Sequence, residues 1–137
     1  MDSSSTKMIL VFGATDQPQI HKTIGEAFDE TVARWPEKEA IVVTHQGVRW
    51  SYRQLAEAVD AFAAGLLGLG LEPGDRIGIW SPNNVEWVIT QFATAKAGLI
   101  LVNINPAYRK GELSYTLNKV GCKALILASR FKSSDYI

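Results

Sequence analysis

One cysteine, Cys122, and two histidines, His21 and His45, are all that 137 residues contain of these types. A single cysteine forms no internal disulfide and no cysteine metal cluster, and two histidines do not by themselves make a metal site. Excess charge of either sign is also missing: Lys and Arg total 14, Asp and Glu total 14. No nucleic-acid groove is expected, because phosphate recognition needs a clustered positive field. Long hydrophobic runs are scarce. The charge-free stretch 61–71 is too short to span a bilayer and is interrupted by Gly65, Gly68 and Gly70, so no transmembrane segment is expected. Residues 1–7 carry one basic residue, Lys7, and resemble neither a secretory signal nor an arginine-rich transit peptide. The expected location is the cytoplasm, a reducing compartment. Repeats are absent, and the only low-complexity tract is Ser3-Ser4-Ser5.

What is present suits a globular α/β domain. Hydrophobic residues make up 47% of the chain and charged residues 20%, enough for a core and too little charge for disorder. Thr23-Ile24-Gly25-Glu26 has capping-box spacing, and Ile24, Phe28, Thr31, Val32 and Trp35 recur at helical intervals until Pro36. Residues 40–44 and 48–50 are short β-branched or aromatic segments around His45-Gln46-Gly47, a predicted hairpin. Ser51-Tyr52-Arg53-Gln54 is a second capping box. It opens a helix whose Leu55, Val59, Phe62, Ala63, Leu66 and Leu69 share one face, with Gly70 as a left-handed cap. Beyond the turn Glu72-Pro73-Gly74-Asp75 the chain alternates. Strands are expected at 76–80, 99–103 and 123–128, and helices at 85–97 and 111–120, ending at Gly98 and Gly121. Apolar strands separated by helices predict a partial parallel sheet from two βαβ units, buried on both faces. A helix, a β-hairpin and a second helix precede it.

Few residues point to chemistry. Residues 8–15, ending in Gly13-Ala14-Thr15, look like a strand entering a dinucleotide-binding turn, but Asp16-Gln17-Pro18 follows where further glycines are required. The plainer reading is an N-terminal arm over 1–22 with one edge strand. No P-loop run occurs. His21 and His45 have no carboxylate or cysteine at a fixed offset, and Cys122 reads as a small core residue. Trp35, Trp50, Trp80 and Trp87 read as packing anchors on different elements. The expected carboxyl ends of the parallel strands are Ser81-Pro82-Asn83-Asn84, Asn103-Ile104-Asn105-Pro106-Ala107-Tyr108 and Ser129-Arg130. Ligands collect at such ends in open parallel sheets. Capping and turn chemistry explain the same residues: Ser81 as a cap, Pro82 in a first helical turn, Asn105-Pro106 as a turn. That explanation is preferred.

The residues also carry a family pattern. Thr23-Ile24-Gly25-Glu26, then Trp50-Ser51-Tyr52-Arg53-Gln54-Leu55, then residues 64–77 and Ser81-Pro82-Asn83-Asn84-Val85-Glu86-Trp87 resemble the opening of AMP-forming acyl-CoA synthetases. Ala97-Gly98, residues 102–108, Glu112, Tyr115 and residues 120–125 continue the match in order. Asn105-Pro106-Ala107-Tyr108 is most like the medium-chain and fatty-acid branch. The resemblance implies an incomplete N-terminal subdomain of an adenylate-forming enzyme over 23–137. At full length that enzyme would use ATP, Mg2+ and coenzyme A to activate a fatty acid as acyl-AMP and pass it to the thiol. The family's phosphate loop, nucleotide pocket, hinge and C-terminal catalytic lysine have no counterpart in this sequence. No catalytic, cofactor-binding or metal-binding residue is therefore carried over, and the chain alone is expected to be inactive and to need no cofactor. Its expected partners are the rest of the adenylation domain and, through apolar faces left open, further copies of itself. Two alternatives stay open: a non-catalytic interaction module using 123–128 as an exposed edge strand, and a small NAD(P)-binding domain built on Gly13.

Overall fold

The computed structural model describes residues 11–132, 134–135 and 137. Residues 11–23 form neither helix nor strand and are exposed. The part of the expected edge strand that falls in residues 8–10 lies outside the described residues. Val11, Phe12 and Gly13 belong to no strand, and the next helix starts only at Ile24, so no dinucleotide turn forms among the described residues.

Helix α1 spans Ile24–Arg34, and its predicted capping box forms. The Glu26 amide donates to Thr23 Oγ1 at 3.2 Å, and the Thr23 amide donates to Glu26 Oε2 at 2.8 Å. That backbone hydrogen bond is the main cause holding the Glu26 carboxyl below its ordinary range. Strands β1 (Glu39–Val43) and β2 (Val48–Ser51) pair antiparallel around a 3-10 turn, Thr44–Gln46. Helix α2 (Tyr52–Gly68) starts at the second capping box, on Ser51 and Gln54. Three apolar residues expected inside are outside: Ile24, at the first position of α1, is 58% exposed, and the other two share one reason. Leu69 and Trp35 each sit just past their helix end, where helical periodicity no longer places them. Leu69 is 76% exposed and Trp35 46% exposed, with the Lys38 ammonium 4.0 Å from the Trp35 ring centroid. Of the other tryptophans, Trp80 is buried, while Trp50 and Trp87 are half-buried.

Strands β3 (Arg76–Trp80), β4 (Ile100–Ile104) and β5 (Cys122–Leu127) form the parallel sheet, in the order β4-β3-β5. Helix α3 (Val85–Lys96) connects β3 to β4, and α4 (Lys110–Val120) connects β4 to β5. The short strands β6 (Arg130–Phe131) and β7 (Ser134–Asp135), which sequence reading does not anticipate, pair antiparallel. Gly70, Gly98 and Gly121 have positive φ, as expected of helix-terminating glycines.

Register sorts the side chains between two faces. Ile77 pairs with Leu101 and Ala124, and Ile79 with Asn103 and Ile126. This face carries the core: Ile77 packs with Leu55, Val59, Ala63 and Leu66 of α2, Ala93 of α3 and Phe28 of α1. Phe28 and Phe92 stack at 4.4 Å, joining α1 to α3. Lys96 on α3 reaches Asp29 of α1 at 2.7 Å and Asp60 of α2 at 2.5 Å, tying the three helices together. Gly78 faces the other way. A Cβ there would lie 2.9 Å from Ile104 Cδ1 and 3.1 Å from both Leu117 Cδ2 and Leu125 Cδ1. Trp80 and Ile104 are buried on this side, but α4, whose Leu117 lies against it, has no buried residue. As expected, β3 is buried on both faces, but α4, with a mostly polar sequence and a narrow apolar stripe, closes its side less completely than the helices on the other. No helix among the described residues is long and apolar enough to cross a membrane.

Candidate strand-end crevice

The chain leaves β3 toward the α1–α3 side and leaves β4 toward the α4 side. Neighbouring parallel strands whose connections diverge in this way open a crevice at their carboxyl ends, a topological switch point. A cavity of about 510 Å³ lies there, lined by Ser81, Pro82, Asn83 and Trp87 on the β3 side and Asn103, Ile104, Asn105 and Pro106 on the β4 side. A second, of about 270 Å³, lies at the carboxyl end of β5, where Ser129 meets Gln46, Asn84, Glu86 and Trp87. The strand-end segments singled out in the sequence therefore come together in part: Ser129 joins them, Arg130 enters β6, and Ala107 and Tyr108 line neither cavity.

Most of their polar groups serve the fold as well. Asn84, not Ser81, is the N-cap of α3, accepting the Trp87 amide at 2.9 Å. Ser81 accepts from Asn84 Nδ2 at 3.0 Å, and its hydroxyl donates to the Pro82 carbonyl at 2.9 Å. Pro82 precedes the helix instead of opening it. Asn105 accepts the Ala107 amide at 2.9 Å in the expected turn, and its carbonyl accepts from Trp80 Nε1 at 3.2 Å. The side-chain amides of Asn83 and Asn103 make no hydrogen bond to any described residue and line the larger cavity from opposite sides. Capping and cleft-lining thus coexist, where sequence reasoning sets them as alternatives.

Chemically, the lining is neutral and amide-rich. Among the described residues, Glu86 is the one charged side chain along the two cavities, and no lysine or arginine lines either. Such walls suit a neutral hydrogen-bonding group and lack the positive charge that a triphosphate needs. Among the described residues no three His, Cys, Asp or Glu side chains converge to hold a metal. His21 and His45 are exposed. Cys122 is half-buried at the start of β5 and not in the core proper, and burial pushes its thiol up, away from reactivity. Sequence reasoning misses Gln46. Its side chain joins the hairpin turn to α3, accepting the Val85 amide at 2.7 Å and donating to Glu86 Oε2 at 2.8 Å. The only signal was its place in a turn, because its partners are 39 and 40 residues away.

A family model described as AMP-binding enzyme matches residues 28–136. The chain is 49% identical over 124 residues to the medium-chain acyl-CoA ligase ACSF2, mitochondrial, of Rattus norvegicus, covering 90% of this chain and 20% of the relative. It is 51% identical over 126 residues to the protein of the same name from Homo sapiens, covering 92% and 20%. The fold matches a Mycobacterium tuberculosis fatty acyl CoA synthetase with a TM-score of 0.74 and 30% identity, over 77% of this chain and 21% of that one. The chain spans about a fifth of the length of the curated relatives it matches.

Proposed function

The chain belongs to the AMP-binding enzyme family, and from that premise we propose that it is the N-terminal part of a fatty acyl-CoA ligase. Residues 1–22 would be an arm and 23–137 part of the adenylation domain. The observation that carries this reading is the identity to medium-chain acyl-CoA ligases over nine-tenths of the chain, on a fold shared with a fatty acyl CoA synthetase.

In the longer protein, a fatty carboxylate would attack the α-phosphorus of ATP, forming acyl-AMP and releasing pyrophosphate. The thiol of coenzyme A would then attack the acyl carbonyl, forming the thioester and releasing AMP. A carboxylate is a poor acyl donor, and AMP is a far better leaving group than oxide. Magnesium belongs to that longer enzyme. Among the described residues no three His, Cys, Asp or Glu side chains converge to hold it. The part we assign to this chain is positioning: it builds a rigid sheet and presents the strand-end crevice. It would not turn over substrate alone.

The expected partners are fatty acid, ATP, coenzyme A and the rest of the adenylation domain. The isolated chain would also self-associate through its open apolar faces. We place it in the cytoplasm, the compartment expected for a chain with one cysteine. The relatives carry mitochondrial names, and fractionation of cells expressing the tagged protein separates the two placements. The activity is tested on the longer protein by ATP–pyrophosphate exchange. Stimulation by a medium-chain fatty acid is the expected result, and no stimulation by any acid tested would overturn the reading.

A further inference from the structure

The geometry points to Gln46 as a positioning residue for the crevice wall, acting through the first turn of α3. Val85 is the first helical residue, so its N–H has no acceptor within the helix. Asn84 serves the Trp87 amide two residues on, leaving the Val85 amide to Gln46 Oε1. The same side chain donates from Nε2 to Glu86 Oε2. A carboxamide meets both demands at once, since it accepts with its oxygen and donates with its nitrogen, whereas a carboxylate offers no donor. The turn held in this way carries Asn84, Glu86 and Trp87, which line the smaller cavity with Gln46 itself; Trp87 lines the larger one too. The opposite wall is anchored separately, through Trp80 Nε1 on the Asn105 carbonyl. Gln46 therefore sets the position of the α3 wall against the Asn103–Asn105 wall, and it does so from the hairpin, an element outside the parallel sheet.

Amide hydrogen exchange on the 137-residue chain tests the contact. Gln46→Ala should raise exchange at Val85 about tenfold, the order expected for one lost hydrogen bond, while Trp87 and Ile79 keep their rates. Gln46→Glu sets two carboxylates against each other and should expose Val85 similarly. Adding Glu86→Gln reverses the polarity of the pair and should restore Val85 protection. An unchanged Val85 rate in Gln46→Ala, an equal rise at Trp87 and Ile79, or no restoration in the double variant would each overturn the proposal.

The functional arm rests on the ligase reading. In the longer protein, Gln46→Ala should raise the KM for one of fatty acid, ATP or coenzyme A about fivefold, with kcat within about twofold. Unchanged KM for all three would reduce Gln46 to upkeep of the fold and overturn the positioning role. Absence of acid-stimulated exchange in the unsubstituted protein would instead count against the ligase reading, and the Val85 amide would still decide the contact.

Discussion

The two faces of the parallel sheet are both lined by apolar strand residues and are covered differently. On the Ile77 face, three helices converge on one cluster in which Ile77, Val59 and Ala93 are fully buried. On the Gly78 face Trp80 and Ile104 are buried, but α4 lies against the strands without burying a single residue of its own, and Tyr115 stays 64% exposed. Strand hydropathy alone therefore does not decide how completely a face is covered. The partner helix does, and α4, with the sequence KGELSYTLNKV, brings few apolar groups to the contact. The finished face anchors the chain, while the crevice opens where the two faces diverge.

Truncating one residue on each face is the strongest way to break this comparison. Ile77→Ala should cost about 2–5 kcal/mol, the range for deleting a fully buried aliphatic side chain. Leu125→Ala, half-buried on the Gly78 face, should cost less than half as much. Urea denaturation compares them, and equal losses would erase the distinction between the faces. Gly78→Ala comes next. The added methyl meets three side-chain ends at once and should cost about 1 kcal/mol, the low end of overpacking, because a loosely seated α4 can withdraw Leu117. A cost near 3 kcal/mol would mean that α4 is held firmly.

Two smaller effects sharpen the contrast through pH. Burial opposes the charge on Lys96, but its bonds to Asp29 and Asp60 prevail and raise its pKa. A raised value means that this stabilisation is complete below the ordinary lysine pKa, near ~10.4, and is lost as pH rises through the folded value. Lys96→Met should cost about 1 kcal/mol at neutral pH and flatten the alkaline loss of stability. Retention of the full alkaline loss in that variant would show that the link between helices contributes nothing. Asp75 behaves oppositely. The Glu72 amide and then the Lys123 ammonium hold its carboxyl below the usual range. Its contribution is present above the ordinary aspartate pKa and fades as pH falls through the lowered one. Asp75→Asn should therefore make the acid limb of the stability curve shallower, a change read by thermal melts between neutral pH and pH 3.

Local chemistry was legible from the sequence where its partners were close in the chain. Both capping boxes, the hairpin and the glycine helix ends formed as expected because each depends on residues a few positions apart. The parallel character of the sheet followed from apolar strands alternating with helices. Leu69 and Trp35 escaped because periodicity says nothing once a helix has ended. Lys96 and Gln46 escaped for another reason. Their partners are up to 67 residues distant, so no local pattern announces them. At the strand ends, the sequence singled out the segments but favoured capping and turn roles for them, and it did not show that Asn83 and Asn103 would keep unspent amides while Asn84 and Asn105 secured the loops.

Native-state hydrogen exchange across the whole 137-residue chain tests the asymmetry most directly, since it reads the opening of each helix separately. Amides in α2, and in α3 beyond its first turn, should exchange only through global unfolding, and those in α4 through local opening at much lower free energy. Exchange of α4 together with α2 and α3, at one common free energy, would contradict the account.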